Sequence, residues 1–517
     1  MKIVMKKNFI IYLNLFLFSV LLMGCSEEDI TKLPVTAIFD DQFWTSEEQV
    51  IQAANAAHFD LDNVGQLQWD ALTEVMFSQS GPNAEISTGA LNPGASMVNS
   101  LWQSSYSSIR NANWFLDNVG KAGLDESKLD KYNGQWRFIR AWAHYKLLYQ
   151  FGDVPIVDKV LAITEGKVTQ SPRAEVLQFV LTELDKTISE LSASDFTPEQ
   201  GRINKWAAIA LKSRILLYEG TLANDNTMLD ESAKLAKQIM DQGGYSLHDN
   251  YTELFRPEGD GSEEIILARI NADLEGQYHS LGQWLGPISF HASWNIFSPT
   301  IALVERYPDI NGVPITSSPI YDADKPFENR DPRLNQSIFD WTKDVEYEGA
   351  MFINGGTWLN FRKFIDPSEE AEQRSHVDHI IFRLGEVYLN YVEASNELNG
   401  PSQELVDLIN ELRERGGKKA ADDGSDIVVP PIALSGLTKD SFREIIRNER
   451  IIELVGEGVL YYDYHRWKLL ETTMNQPAVG VVPLENRVFT APRDYLWPIP
   501  EWELINNENL DQNAGWN

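Results

Sequence analysis

The chain has a single cysteine, Cys25, among 517 residues. One thiol excludes an internal disulfide and any zinc site of the CxxC type. Basic residues are few: 44 Lys and Arg stand against 76 Asp and Glu, a formal charge of −32. A general nucleic-acid surface works by displacing counterions from phosphates, and this balance leaves room for a local patch only. Direct adsorption to anionic lipid headgroups is excluded on the same ground. No Gly-rich phosphate loop opens a helix, and Gly-x-Ser-x-Gly is absent, which removes two catalytic motifs. Beyond residue 24 no run of about 20 apolar residues follows, so nothing there reads as a membrane span. What is present is 43% hydrophobic and 11% aromatic, too rich for disorder and enough for a large core.

Residues 1–24 read as a signal peptide. Lys2, Lys6 and Lys7 form a positive start, and the stretch from Phe9 to Met23 is almost wholly apolar, the length of a leader's hydrophobic segment and short for a span. The run ends Leu22-Met23-Gly24-Cys25, which resembles a bacterial lipobox. On that reading Cys25 carries lipid (palmitate and related chains) and becomes the first mature residue. Each buried CH₂ then contributes roughly 0.8 kcal/mol to anchoring. Ser26-Glu27-Glu28-Asp29 resembles the surface-export signal of outer-membrane lipoproteins. The expected location is the outer membrane, lipid-anchored and facing outward. Losing the three lysines takes the charge from −32 to −35.

Helical periodicity marks 127–151, where Phe138, Trp142, Tyr145 and Tyr149 line one face before Gly152-Asp153-Val154-Pro155 stops the helix. Further helices are predicted at 172–194, 204–220, 228–242, 379–399, 402–415 and 439–470. Residues 62–100 and 256–375 differ: they are rich in Gly, Pro, Asn, Ser and Trp, and loops of that length are usually functional. Short strands are predicted at 264–270 and 351–365. The fold class is therefore mainly α: a scaffold of tetratricopeptide-like helical hairpins with long irregular insertions and a few short strands. Residues 25–517 read as one domain, with a helical part at about 40–255, a loop-rich insertion at about 256–375 and a second helical part at about 376–517.

A series of short motifs carries a family likeness. They are Arg137-Phe138-Ile139-Arg140-Ala141 with Phe151-Gly152-Asp153-Val154-Pro155, Trp206 to Arg214, Asn329-Arg330-Asp331-Pro332-Arg333-Leu334, Arg383 to Leu389 with Glu393, Glu449 to Leu454 with Asp463-Tyr464-His465-Arg466-Trp467, and the ending Gln512 to Trp516. In this order, behind a lipobox, they resemble the SusD/RagB family of outer-membrane nutrient-binding lipoproteins. Gly456 and Val459 depart from the pattern within scaffold helix. The resemblance implies a non-enzymatic protein that binds oligosaccharides and delivers them to a partner TonB-dependent, SusC-like transporter. A RagB-like peptide binder on the same scaffold is the alternative, and a surface glycoside hydrolase a remote one. No cofactor is implied, and a structural calcium is left open.

The charged residues of those motifs sit at helical spacing among apolar ones and read as Arg–carboxylate ties between helices. His376-Val377-Asp378-His379 reads as a polar helix entry. A hydrolase needs two carboxyl groups flanking one bond, and no pair stands out. The tryptophans are more informative. Trp136, Trp142, Trp206 and Trp467 fall on scaffold helices and read as core. Trp69, Trp284, Trp294, Trp341 and Trp358 fall in the irregular segments, near Tyr278, Phe290, Tyr321 and Tyr347. A flat indole covers the C–H face of a pyranose while its edge stays wet. The glycan-stacking candidates are Trp69, Trp284 and Trp294, then Tyr278 and Trp358.

Overall fold

The computed structural model describes residues 43–196, 199–272, 274, 277–287, 293–343, 346–347, 350–351, 356–366, 374–421, 424–481 and 483–516. The leader, Cys25, the acidic tract after it and Phe290 lie outside them.

Helices dominate. The scaffold consists of α1 (Glu47–Asn55), α2 (Ser96–Asn118), α3 (Glu126–Phe151), α4 (Arg173–Glu190), α5 (Lys205–Ala223), α6 (Asn226–Gln242), α7 (Leu384–Asn399), α8 (Gln403–Gly417) and α9 (Lys439–Leu454). Side chains start several of them. Asn204 accepts from the Ala207 N–H, Asp225 from Thr227 and Met228, and Thr438 from Ser441, each satisfying a donor that the first turn leaves free. Every residue of α5 from Trp206 to Gly220 is buried, so this helix has no polar stripe and lies at the centre of the molecule. Phe138, Trp142, Tyr145 and Tyr149 of α3 are all buried, as their spacing predicts. Among the described residues no helix is long and apolar enough to cross a membrane.

Consecutive helices from α2 to α6 pack in series, and α6 then packs directly on α7. The chain therefore leaves the scaffold after Gln242 and rejoins it at Leu384 beside its point of departure. Four strands organise this excursion: β1 (Met76–Ser78), β2 (Ile265–Arg269), β3 (Phe297–Pro299) and β4 (His379–Arg383). Antiparallel pairing of β2 with β4 forms the neck. Antiparallel pairing of β1 with β3 binds the early loop to the excursion.

The motif arginines tie this framework together. Arg140 of α3 pairs with Glu183 of α4, and Arg214 of α5 forks onto Glu386 of α7, with Nε to Oε1 at 2.6 Å. Arg466 holds both oxygens of Glu393 at 2.6 Å. Arg333 reaches Asp331, Glu449 and Glu453, and Arg383 reaches Glu264, Glu453 and Glu457. The surrounding arginines hold the Glu453 carboxyl well below its ordinary range in spite of burial. Planar forks of this kind fix orientation as well as charge. Arg330 instead donates to the carbonyls of Pro326, Val304 and Tyr307, pinning the turn before it. At the end of the chain Asn513 donates to the Phe151 and Trp497 carbonyls and seals the end of α3.

Four sequence expectations change. Residues 379–383 form β4 and not the first turn of a helix, because His379, Ile380, Phe382 and Arg383 pair against β2; His379 and Asp378 are thus at a strand entry. The helix predicted over 439–470 breaks after Leu454 and resumes at Leu460–Arg466 and Leu470–Thr473. Gly456 and Gly458 take φ of 81° and 76°, a region open to glycine, and the buried Asp70 carboxylate accepts the N–H groups of Gly456, Gly458 and Leu460. Residues 96–118, whose first residues to 100 fall in a stretch read as irregular, are a continuous helix. Among the described residues of the strand predicted over 351–365, Met351 alone lies in a named strand and Phe361 in an isolated bridge.

Candidate ligand-binding face

One asparagine organises the loops that carry the tryptophans. Asn295 is fully buried and adopts φ of 45°, a left-handed conformation that Asn tolerates better than most residues. Its Nδ2 donates to the Gly286 carbonyl at 3.2 Å and to Asn360 Oδ1 at 3.0 Å. Its Oδ1 accepts from Ser298 Oγ at 2.7 Å and from Gln79 Nε2 at 3.2 Å, and its carbonyl accepts from Gln79 Nε2 at 2.8 Å. Three remote segments, around residues 79, 286 and 360, thus converge on one side chain. A buried amide with all its valences met is a rigid junction.

Trp294 precedes this junction and is 59% exposed; Trp358 lies two residues before Asn360 and is 46% exposed. The Trp294 N–H is fixed to the Gln283 carbonyl at 2.8 Å. Trp358 is held at φ of 65°, an unfavourable backbone for an aromatic residue that persists only where its surroundings impose it. The imposing contacts are visible on both sides. The Val481 N–H donates to the Thr357 carbonyl at 2.8 Å, and the Leu359 N–H donates to Thr357 Oγ1 at 3.1 Å. At Gly356 a Cβ would meet Gln79 Nε2 at 2.8 Å, so the turn lies directly on the early loop. Two large apolar side chains are thereby presented to solvent from a stiff base.

Trp284 and Tyr278 fall on a separate feature, a groove of 360 Å³ that also includes Phe59, Asn63, Arg269 and Asn271. Trp284 is half-buried and presents its edge to Phe297, with ring centroids 6.4 Å apart. His279 and Ser375 exchange backbone hydrogen bonds at 2.8 Å. This bridge sets Arg374 over the Tyr278 ring, 5.1 Å from its centroid. Phe59 forms the rim and is 68% exposed. A second depression, of 570 Å³, shares His58, Phe59 and Ile270 with the first. Burial pushes the His58 ring below its ordinary pKa and the His279 ring down to about 4, so both are neutral at pH 7.

Trp69 corrects the sequence expectation. It is 4% exposed and lies among Tyr461, Tyr462 and Trp497, at 5.3 Å from the last. Its ring is core and has no free face for a ligand. Phe59 was missed. It lies at the end of a short 3-10 segment, Ala56–Asp60, with no local pattern to separate a rim residue from a core one. Trp341 packs edge-on against Phe327 at 4.9 Å. Among the described residues no group of three or more His, Cys, Asp or Glu is placed to hold a metal ion.

Comparison with known proteins matches this arrangement along the chain. A sequence profile described as the SusD family matches residues 263–516, and one described as "Starch-binding associating with outer membrane" matches residues 32–217. A SusD-like protein of Formosa agariphila is 25% identical over 535 residues, spanning 98% of this chain and 99% of the relative. The starch-binding protein SusD of Bacteroides thetaiotaomicron is 22% identical over 454 residues, spanning 79% and 76%. Among solved structures, a SusD-like carbohydrate-binding protein of Bacteroides fragilis superposes with a TM-score of 0.80 at 25% identity, covering 91% of this chain and all of that one. The surface glycan-binding protein A of Bacteroides thetaiotaomicron, solved with laminarihexaose, gives 0.69 at 18% identity with 91% and 100% coverage. The excursion and C-terminal scaffold answer to one profile and the N-terminal helices to the other, on a fold shared over nearly the whole length: the chain belongs to the SusD/RagB family.

Proposed function

We propose that the protein captures oligosaccharides at the outer surface of the outer membrane and passes them to a TonB-dependent transporter of the SusC type. Lipid on Cys25 anchors it there. The observation that carries the reading is the pair of exposed indoles, Trp294 and Trp358, held on segments joined through Asn295. Apolar rings fixed in the open and backed by buried amides suit the C–H faces of sugar rings. Preorganisation matters because a ring that is already immobile loses little entropy when a sugar stacks on it. The starch-binding and glycan-binding character of the relatives named above supports the same assignment. The protein acts as a binding module and not as an enzyme, and the activity requires no cofactor.

The test is calorimetric titration of the lipid-free chain with a panel of oligosaccharides and of peptides. Saturable glycan binding that is weakened in Trp294→Ala and in Trp358→Ala is the expected outcome. Binding of peptides alone would overturn it in favour of the RagB-like alternative.

A further inference from the structure

The groove beneath Phe59 is distinguished by its described lining. The chain carries −32 overall, yet among the described residues that line this groove none is acidic and Arg269 is present. Elsewhere the motif arginines Arg140, Arg214, Arg333, Arg383 and Arg466 each hold a carboxylate. Arg269 does not: its Nη1 donates to the carbonyls of Phe59 and Leu61, at 3.2 and 2.9 Å. Arg374 is exposed and rests on the Tyr278 ring. Nearby acids are already engaged. Asp62 takes Lys146 and the Trp142 indole N–H, and Asp60 takes Ser108 and Asn111. Asp378 accepts the Asn271 N–H and is pushed up to about 7 by burial. Asp62 and Asp60 act on Arg269 only through space, so the two guanidinium groups beside this aromatic groove have no carboxylate at hydrogen-bonding distance among the described residues.

We infer that this groove receives an acidic sugar, a uronate or a sulfated residue, of an oligosaccharide whose ring stacks on Trp284 or Tyr278. The inference rests on the glycan-capture reading and narrows its ligand class. A guanidinium offers a planar pair of donors that matches a carboxylate or sulfate. Cation–aromatic stacking positions Arg374 over Tyr278 without an ion-pair partner among the described residues.

The full chain in detergent is titrated with three probes of matched length: an oligogalacturonate, a sulfated galactan oligosaccharide and a neutral galactan oligosaccharide. Acidic probes are expected to bind at least about tenfold more tightly than the neutral one, and Arg374→Gln to reduce that preference roughly tenfold. Added salt should weaken only the acidic probes. The two acidic probes separate carboxylate from sulfate recognition, and a preference for either supports the inference. Arg269→Lys, which keeps the charge and loses the fork, provides a second variant with a milder effect on the Phe59–Leu61 turn. Neutral binding equal to or stronger than acidic, with no salt dependence, overturns the inference and leaves glycan capture standing. Absence of binding to all three probes overturns the inference, and glycan capture falls as well only if the wider oligosaccharide panel also fails to bind.

Discussion

Asn295 donates to Asn360 Oδ1 at 3.0 Å from a site with no solvent access, and this single bond joins the loop bearing Trp294 to the loop bearing Trp358. Replacing Asn295 by Ala leaves Asn360 Oδ1 and Ser298 Oγ short of a partner inside the protein, while the Gly286 carbonyl keeps only Ser293 Oγ. The expected cost is about 2–4 kcal/mol, the sum of several unmet buried groups. Denaturant unfolding measures it. Glycan affinity should fall in the same variant, although neither indole has been touched.

Trp294→Ala and Trp358→Ala should each reduce oligosaccharide affinity about tenfold while leaving the melting temperature near that of the parent. Trp358→Gly gives a sharper contrast. Glycine relieves the backbone at φ of 65°, so this variant should bind poorly yet be as stable as the parent or more so. Trp69→Ala reverses the pattern: removal of a core ring is expected to cost about 3–5 kcal/mol. Calorimetric binding beside thermal melts distinguishes the three.

Asp70 sets a pH dependence whose sign is opposite to that of a salt-bridged carboxylate. Burial pushes its carboxyl up to about 7 from 3.8, even though three backbone N–H groups favour the charged form. Between those values the unfolded chain has released the proton and the folded chain retains it. The folded state binds more protons there, so its stability declines as pH rises through this window and levels off above about pH 7. In Asp70→Asn that contribution disappears. The difference in unfolding free energy between parent and variant, followed from pH 4 to 8, should carry the slope.

Glu386→Gln removes the charge that Arg214 grips across α5 and α7. Both side chains are buried, so the guanidinium is left uncompensated, and a loss of about 3–5 kcal/mol is expected. Replacing both residues by apolar ones of similar volume should cost less than the single change. Chemical denaturation of the three forms makes the comparison.

Cys25→Ser should shift the protein from the membrane to the aqueous phase, because acyl chains supply the anchoring energy. Phase partition in detergent, with metabolic labelling by a tagged palmitate, reads the outcome. Retention of membrane association and label by the variant would exclude Cys25 as the attachment point.

The scaffold was legible where periodicity is local. The aromatic stripe of α3 and the motif arginines declare themselves by spacing, and their partners follow from helix packing. Helix α2 escaped because its buried stripe, Met97, Trp102, Ile109 and Phe115, is interleaved with Ser and Asn of poor helical propensity. Strand β4 was absorbed into the following helix because a short apolar run fits either period. Trp69 misled for a different reason. It stands in a loop sequence but packs against Tyr461 and Trp497, and contacts so remote leave no local trace. Trp294 and Trp358 were recognisable as ring types; their rigid presentation by Asn295 was not.

The early segment that includes Asp70 has consequences for timing. Gly456 holds Asp70, Trp497 covers Trp69, and Arg487 donates to the carbonyls of Thr73 and Met76 at 2.8 and 2.7 Å. All three partners are made last. At ribosomal speeds of about 5–20 residues per second, they emerge roughly 20–80 s after the segment they secure. Until then the segment that leads into β1 lacks these anchors when β1 pairs with β3. A chain that ends before Gly456 therefore lacks all three of these anchors for its early segment.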